Sequence, residues 1–194
     1  MQENTRTQRT YDLLLKALTD LLAEKPFDEI RVTDLCERAG VHRSTFYAHF
    51  EDKRHLLTFG IQELMDIFVP PSSSPNHQDF QRALRRVFKY FLKNKQEYTH
   101  LFLDPRNASA KALFRAEYIR AFKGLLKHRF PQVPGADLDL YSHYFIGGLL
   151  TVVDFWLEND TTSSPQEMAA QFVQLIPNHE DIFAARYPKK EPTR

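Results

Sequence analysis

Arg43, Ser44, Thr45, Tyr47 and His49 lie within residues 43–49, and each of these side chains can donate or accept a hydrogen bond. Their chemistry is that of recognition rather than bond making. The Arg43 guanidinium has the geometry to pair with O6 and N7 of guanine. Ser44 and Thr45 carry hydroxyls that can meet a base edge or a phosphate. Lys53 follows at the head of another helical stretch, where its charge and the helix N–H groups can hold a phosphate together. Phe46 and Phe50 are four residues apart, so both point away from the polar face into a small core. Plainer readings stand beside these: Arg43 as a solvated arginine, Ser44 as a helix cap, Tyr47 as partial packing, His49 as a packed histidine.

A polar helix this short cannot stabilise itself and needs a scaffold. The stretch IRVTDLCERAGVHRSTFYAHFEDKRHLL, residues 30–57, describes one. Val32, Leu35, Cys36 and Ala39 mark a short helix, and Gly40 sits just past its end, where a left-handed residue is commonly needed. Leu35 and Ala39 face Val41 and Phe46, which locks a steep helix pair. Such a pair suits insertion of its second helix into the major groove. Upstream, Leu14, Ala17, Leu18, Leu21 and Leu22 form a stripe on a helix over 8–24, stopped by Pro26. Downstream, a helix over 52–68 turns Leu56, Leu57, Gly60, Ile61, Leu64 and Phe68 inward. The Pro- and Ser-rich segment 70–76 reads as a loop. Helical spacing then predicts 77–94, 96–103, 107–130, 137–159 and 165–176, the last opened by Ser164-Pro165 as N-cap and first helical residue. Pro177 interrupts it, residues 181–187 add a last turn or two, and 188–194 read as a frayed end. No stretch keeps strand alternation. The expected fold is all-α, about nine helices: a helix-turn-helix domain over 1–51 and a larger helical domain over 52–194.

Ala39-Gly40-Val41, Ser44-Thr45-Phe46-Tyr47, His49-Phe50, Asp52-Lys53 and Leu56-Leu57 together give residues 8–60 a specific likeness. They resemble the DNA-binding domain of the TetR family of bacterial transcription regulators. The resemblance implies a homodimer, a three-helix DNA-binding domain, a linking fourth helix and a helical domain that usually binds a small ligand. It also implies that Tyr47 and His49 meet the DNA backbone. Two positions depart from the family pattern. Arg31 stands where Ser or Thr is common near the start of the second helix, with Thr33 two residues on; either Thr33 caps that helix or Arg31 reaches a phosphate. His42 stands where a small capping residue often opens the recognition helix. The expected DNA-binding set is Arg31, Thr33, His42, Arg43, Ser44, Thr45, Tyr47, His49 and Lys53, with Arg43, Ser44 and Thr45 carrying specificity.

In the C-terminal half, GGLLTVVDFW places two small residues, Gly147 and Gly148, among large apolar ones. Residues 136–176 read as a dimer interface through Phe145, Gly148, Leu149, Val152, Trp156, Phe172 and Leu175, although part of this set must serve the subunit's own core. This half also resembles effector domains of regulators related to dihydroxyacetone kinase activators, which implies no particular ligand. A pocket for a small-molecule effector is expected among Phe59, Tyr98, Phe102, Phe114, Tyr118 and Phe122, an aromatic set that equally fits core packing.

Net charge is +1, but its distribution is uneven. Residues 76–130 hold 13 Lys/Arg against 4 Asp/Glu, whereas residues 131–185 hold 8 Asp/Glu and no Lys/Arg. Residues 1–55 are near neutral, with 9 Lys/Arg and 10 Asp/Glu, so the case for DNA rests on motif rather than charge. Cys36 is the single cysteine, so an intramolecular disulfide is excluded. The leading residues MQENTRTQRT are polar, and no run approaches the roughly 18 apolar residues of a membrane span, so a cytoplasmic protein is expected. His42, His49 and His55 lack metal-ligand spacing, and neither a Gly-rich phosphate loop nor a nucleophile-base signature is present. The expectation is therefore a transcription regulator with neither catalytic group nor cofactor: a ligand-responsive homodimeric repressor on double-stranded DNA with a palindromic operator. The alternative is a helical protein-interaction or small-molecule-binding module that no longer reads DNA, which the near-neutral N-terminal segment and Arg31 favour.

Overall fold

The structure is a computed structural model, and it describes residues 2–68, 77–159, 162–176 and 179–187. The expected loop over 70–76, the break at Pro177 and the end at 188–194 lie outside the described residues. Among the described residues every regular element is helical. The helices are α1 (Gln2–Glu24), α2 (Val32–Ala39), α3 (Arg43–Tyr47), α4 (Lys53–Phe68), α5 (His77–Lys93), α6 (Lys95–Tyr98), α7 (Ala108–Arg129), α8 (Gly135–Glu158), α9 (Pro165–Leu175) and α10 (His179–Arg186). The all-α reading holds. The predicted helix over 96–103 is instead the single turn of α6 followed by a π-helical turn, Thr99–Leu103.

The chain divides into two compact units: residues 1–64 with 95–117, and residues 65–94 with 118–194. The first takes in more chain than the segment 1–51, because most of α4 and the stretch 95–117 cluster with the helix-turn-helix. In this unit the predicted stripe Leu14, Ala17, Leu18, Leu21 and Leu22 is buried against α2, together with Phe27, Ile30, Leu35, Phe46, Phe50, Leu56 and Ile61. Each large side chain so buried stabilises the unit by roughly 1.5–3 kcal/mol. Helix α2 ends where Gly40 takes φ 67°, ψ 33°. The Val41 N–H then reaches back to the Cys36 carbonyl at 3.0 Å, closing the tight turn into α3. Glycine, which has no Cβ, adopts that backbone conformation without steric cost.

In the second unit α5 lays its buried face, Ala83, Leu84, Val87, Phe88 and Phe91, against α9 and α8. Phe88 meets Trp156 and Phe172 with ring centroids 5.5 and 6.3 Å apart. Helix α9 opens as predicted, with Pro165 as its first residue. Ser164 and Glu167 exchange reciprocal hydrogen bonds at 2.7 and 3.3 Å, forming a capping box.

Candidate nucleic-acid interface

Helix α3 is five residues long and takes its position from its inner side. Phe46 is fully buried, and its ring meets Phe50 at 5.7 Å and Tyr47 at 5.4 Å. With the helix so anchored, Arg43 and Ser44 are exposed and Tyr47 is 51% exposed. The Arg43 guanidinium carbon lies 5.9 Å from the Tyr47 ring centroid, at the outer edge of a cation–π contact. Arg43, Ser44 and Tyr47 thus form one outward, hydrogen-bonding patch. His42 is exposed at the N-cap and makes no side-chain capping bond. Thr45 is half-buried.

His49 turns the other way. Its Nδ1 lies 3.4 Å from the Tyr11 hydroxyl, and its ring meets Tyr11 edge-on at 5.2 Å. It is half-buried and belongs to an aromatic cluster with Tyr11 and Phe50. Tyr11 is a partner the sequence reading missed, because a tyrosine on the first helix lies 38 residues away along the chain.

At the start of α2 the N-cap is Arg31, so Thr33 sits inside the first turn rather than capping it. The cap is supplied by Asp34, whose carboxylate accepts the Arg31 N–H at 3.0 Å and also pairs with Lys25. The spacing of Arg31 and Asp34, three residues apart as in a capping box, was the available signal. Arg31 keeps an exposed side chain, as do Arg43, Ser44 and Tyr47 of α3. The hydrogen bond from Lys25, followed by that from the Arg31 N–H, holds the Asp34 carboxyl below its ordinary pKa. A depressed carboxyl adds stability that is present above its unfolded pKa and lost as pH falls through the folded one. Wild-type melting temperature is therefore expected to drop more steeply below about pH 4 than that of Asp34→Asn; parallel melting curves from pH 5 to pH 3 would count against this.

Lys53 is the largest departure from expectation. Its Nζ donates to the carbonyls of Phe27, Asp28 and Ile30 at 2.7, 3.0 and 2.8 Å. It also sits 4.8 Å from the Phe27 ring centroid. An ammonium has three protons, and three carbonyls take them. Burial lowers the Lys53 pKa, with the Asp28 charge opposing. In this geometry Lys53 fastens α4 to the turn before α2, whereas Arg31, His42, Arg43 and Ser44 are exposed.

Of the six aromatics expected around a pocket, Phe59, Tyr98, Phe102 and Phe114 belong to the first unit and Tyr118 and Phe122 to the second. Phe59 packs on Tyr11 at 4.8 Å and Phe50 at 5.6 Å. Tyr98, Phe102 and Phe114 form a ladder with spacings of 4.5 and 4.2 Å. In the second unit Phe122 stacks on Phe145 at 4.6 Å, and Tyr118 is buried. The interface residues divide too. Phe145, Leu149, Trp156 and Phe172 are buried within the chain, Trp156 donating its Nε1–H to the Ser163 carbonyl at 3.1 Å. Gly148, Val152 and Leu175 reach the surface. The apolar face left open on α8 is the opposite one, with Leu140 72%, Tyr144 57% and Phe155 58% exposed, and Leu175 of α9 is 73% exposed. Among the described residues there is no group of three metal-ligating side chains. No helix among them is long and apolar enough to cross a membrane.

A glycine-turned helix pair with a sealed inner face and a polar outer face defines a helix-turn-helix DNA-binding regulator. Residues 14–58 match the family described as "Bacterial regulatory proteins, tetR family", and residues 78–178 match "Transcriptional regulator C-terminal region" of the same type. The chain belongs to the TetR family of transcriptional regulators. It is 25% identical over 191 residues to "Uncharacterized HTH-type transcriptional regulator YxbF" of Bacillus subtilis (strain 168), covering 90% of this chain and 46% of that protein. It is 24% identical over 98 residues to "HTH-type dhaKLM operon transcriptional activator DhaS" of Lactococcus lactis subsp. lactis (strain IL1403), covering 50% of this chain and 51% of that protein. The chain spans about half the length of these curated relatives. Among solved structures, a TetR transcriptional regulator from Streptococcus agalactiae 2603V superposes with a TM-score of 0.62 at 21% identity, covering 92% of this chain and 99% of that one. This last likeness speaks for the fold.

Proposed function

We propose that the chain is a ligand-responsive homodimeric repressor in the cytoplasm that reads a palindromic operator. The observation that carries this reading is the outward patch of Arg43, Ser44 and Tyr47 on a helix whose other side is sealed by Phe46. Arg43 reads a guanine, Ser44 and Thr45 meet a neighbouring base or phosphate, and Arg31, His42 and Tyr47 hold the backbone. Symmetric half-sites call for two copies with recognition helices about 34–36 Å apart, or a multiple of that. The exposed stripe Leu140, Tyr144, Gly148 and Phe155 on α8 supplies an apolar face for the second copy, and Leu175 on α9 is exposed as well. Within the first unit the Tyr98–Phe102–Phe114 ladder supplies an apolar wall of the kind a small effector meets. An effector that binds better to a dimer with a different helix separation releases the operator by population shift.

The test is binding of the full chain to fragmented genomic DNA at several salt concentrations, followed by sequencing of what is retained. One enriched palindrome with an affinity that falls steeply in salt supports the reading. Absence of any DNA binding at low salt removes it and favours the interaction-module reading, which the inward Lys53 and the near-neutral N-terminal segment support. Once the operator is known, Arg43→Ala is expected to cost about 1–3 kcal/mol and to relax preference at one position of each half-site. Equal loss on operator and random DNA would remove the base-reading role.

A further inference from the structure

The turn between α1 and α2, residues 25–31, contains three carbonyls held by Lys53 and one N–H held from much further along the chain. Asn107 is 1% exposed, and its Oδ1 accepts the Phe27 N–H at 2.7 Å across 80 residues. Two residues later Ser109 Oγ donates to the Asp28 carboxylate at 2.9 Å. Asn107 itself is placed by the short turn Pro105–Asn107, capped by Asp104, whose carboxylate accepts the Arg106 N–H at 2.9 Å. A buried amide is costly unless its polar atoms are met, so an asparagine at this depth is there for its hydrogen bonds. Phe27 is fully buried, and Arg31, the N-cap of α2, comes four residues after it.

We propose that Asn107 is a positioning residue for DNA reading: it fixes the turn that sets where α2 begins, and through α2 the placement of Arg31 and α3. The inference rests on the DNA-reading function proposed above. Helix α3 has too few residues to hold its own direction and takes it from α2 through the Gly40 turn. A turn gripped at Phe27 by Asn107, at Asp28 by Ser109 and at three carbonyls by Lys53 has little freedom. Removing the Asn107 acceptor leaves the Phe27 N–H buried without its partner, and the turn shifts to find another.

The experiment compares the full chain with Asn107→Leu, which has the same branching and number of side-chain heavy atoms and no acceptor, and with Ser109→Ala. Affinities for the operator and for random DNA are measured at a temperature where circular dichroism shows each protein fully folded. Amide exchange is followed in the peptide that contains Phe27. Asn107→Leu is expected to accelerate exchange there and to lower the ratio of operator to random-DNA affinity about tenfold. Ser109→Ala is expected to lower it two- to threefold. A merely structural loss would reduce both affinities together and leave their ratio unchanged. If Asn107→Leu does not fold, the ratio for Ser109→Ala decides: unchanged, it overturns the proposal. An unchanged ratio in a folded Asn107→Leu overturns it as well, with or without faster exchange. Failure of the unaltered chain to prefer any operator removes the DNA-reading function and this inference with it, whereas normal preference with unchanged variant ratios removes the inference alone.

Discussion

Phe172→Asp is expected to give no folded protein, while Tyr144→Glu combined with Phe155→Glu is expected to give a folded monomer with little hold on its operator. The two outcomes separate two faces that the sequence presents as one. Phe172 is buried against Phe88 and Phe145, with ring centroids 6.3 and 5.7 Å away. Truncating such a ring alone costs about 3–5 kcal/mol. An unpaired carboxylate in its place adds desolvation to that loss, which together takes most of the roughly 5–15 kcal/mol that a native domain has. Tyr144 and Phe155 are more than half exposed, so charge there disturbs the single chain little. Their stripe on α8 is the face offered to a second copy in the proposed dimer. Without that partner, one recognition helix binds without its twin. Tethering two binding modules commonly multiplies affinity by about 10²–10⁴, and a monomer forfeits that gain. Sedimentation velocity at micromolar protein, together with anisotropy on labelled operator, gives both readings. A monomeric unaltered chain, or a double variant that stays dimeric and tightly bound, would defeat the prediction.

The divided interface also marks where the sequence becomes ambiguous. Helix α8 carries adjacent apolar pairs, Leu140 with Tyr141, Tyr144 with Phe145 and Phe155 with Trp156. In each pair the first residue is exposed and the second buried. A helix that is apolar on two sides shows no single stripe, so periodicity identifies the helix but not its inner face. Where one stripe exists, as in Leu14 to Leu22, the reading and the structure agree. Local chemistry is legible for the same reason. Gly40 announces a left-handed turn, and Ser164, Pro165 and Glu167 announce a helix start, because each acts on backbone within three residues of itself. The outward Arg43, Ser44 and Tyr47 follow from the buried Phe46 and Phe50 by helical geometry. What stayed hidden is long-range and uses backbone as the partner. Asn107 next to Pro105 and Asp104 reads as an ordinary turn residue, and nothing in its neighbourhood points to the Phe27 N–H. For the aromatic residues from Phe59 to Phe122, spacing along a helix gives the face a ring lies on but not the ring on another helix that it meets, as Phe59 meets Tyr11 and Phe122 meets Phe145.

Lys53 shows the same limit with the largest consequence for binding experiments. Lys53→Met is expected to lower the melting temperature and to leave the salt dependence of operator binding unchanged. The substitution keeps the aliphatic stem and removes three charge-assisted bonds to the carbonyls of Phe27, Asp28 and Ile30. Those carbonyls are partly reachable by water, so the loss is set at about 2 kcal/mol rather than three full hydrogen bonds. For a chain of this size that corresponds to about 4–8 °C in melting temperature. A lysine that neutralises a phosphate behaves differently: removing it flattens the plot of log affinity against log salt by about one unit and barely affects stability. Lys53→Arg sharpens the contrast. Arginine is an equal or better phosphate ligand, but its planar fork cannot aim three donors at three carbonyls converging on one nitrogen. A fastening role therefore predicts that arginine leaves the melting temperature low, whereas a phosphate role predicts that it restores operator affinity and salt slope together. A flattened slope in Lys53→Met that Lys53→Arg returns to the wild-type value, with melting temperatures unchanged throughout, would show that Lys53 leaves these carbonyls for the DNA backbone.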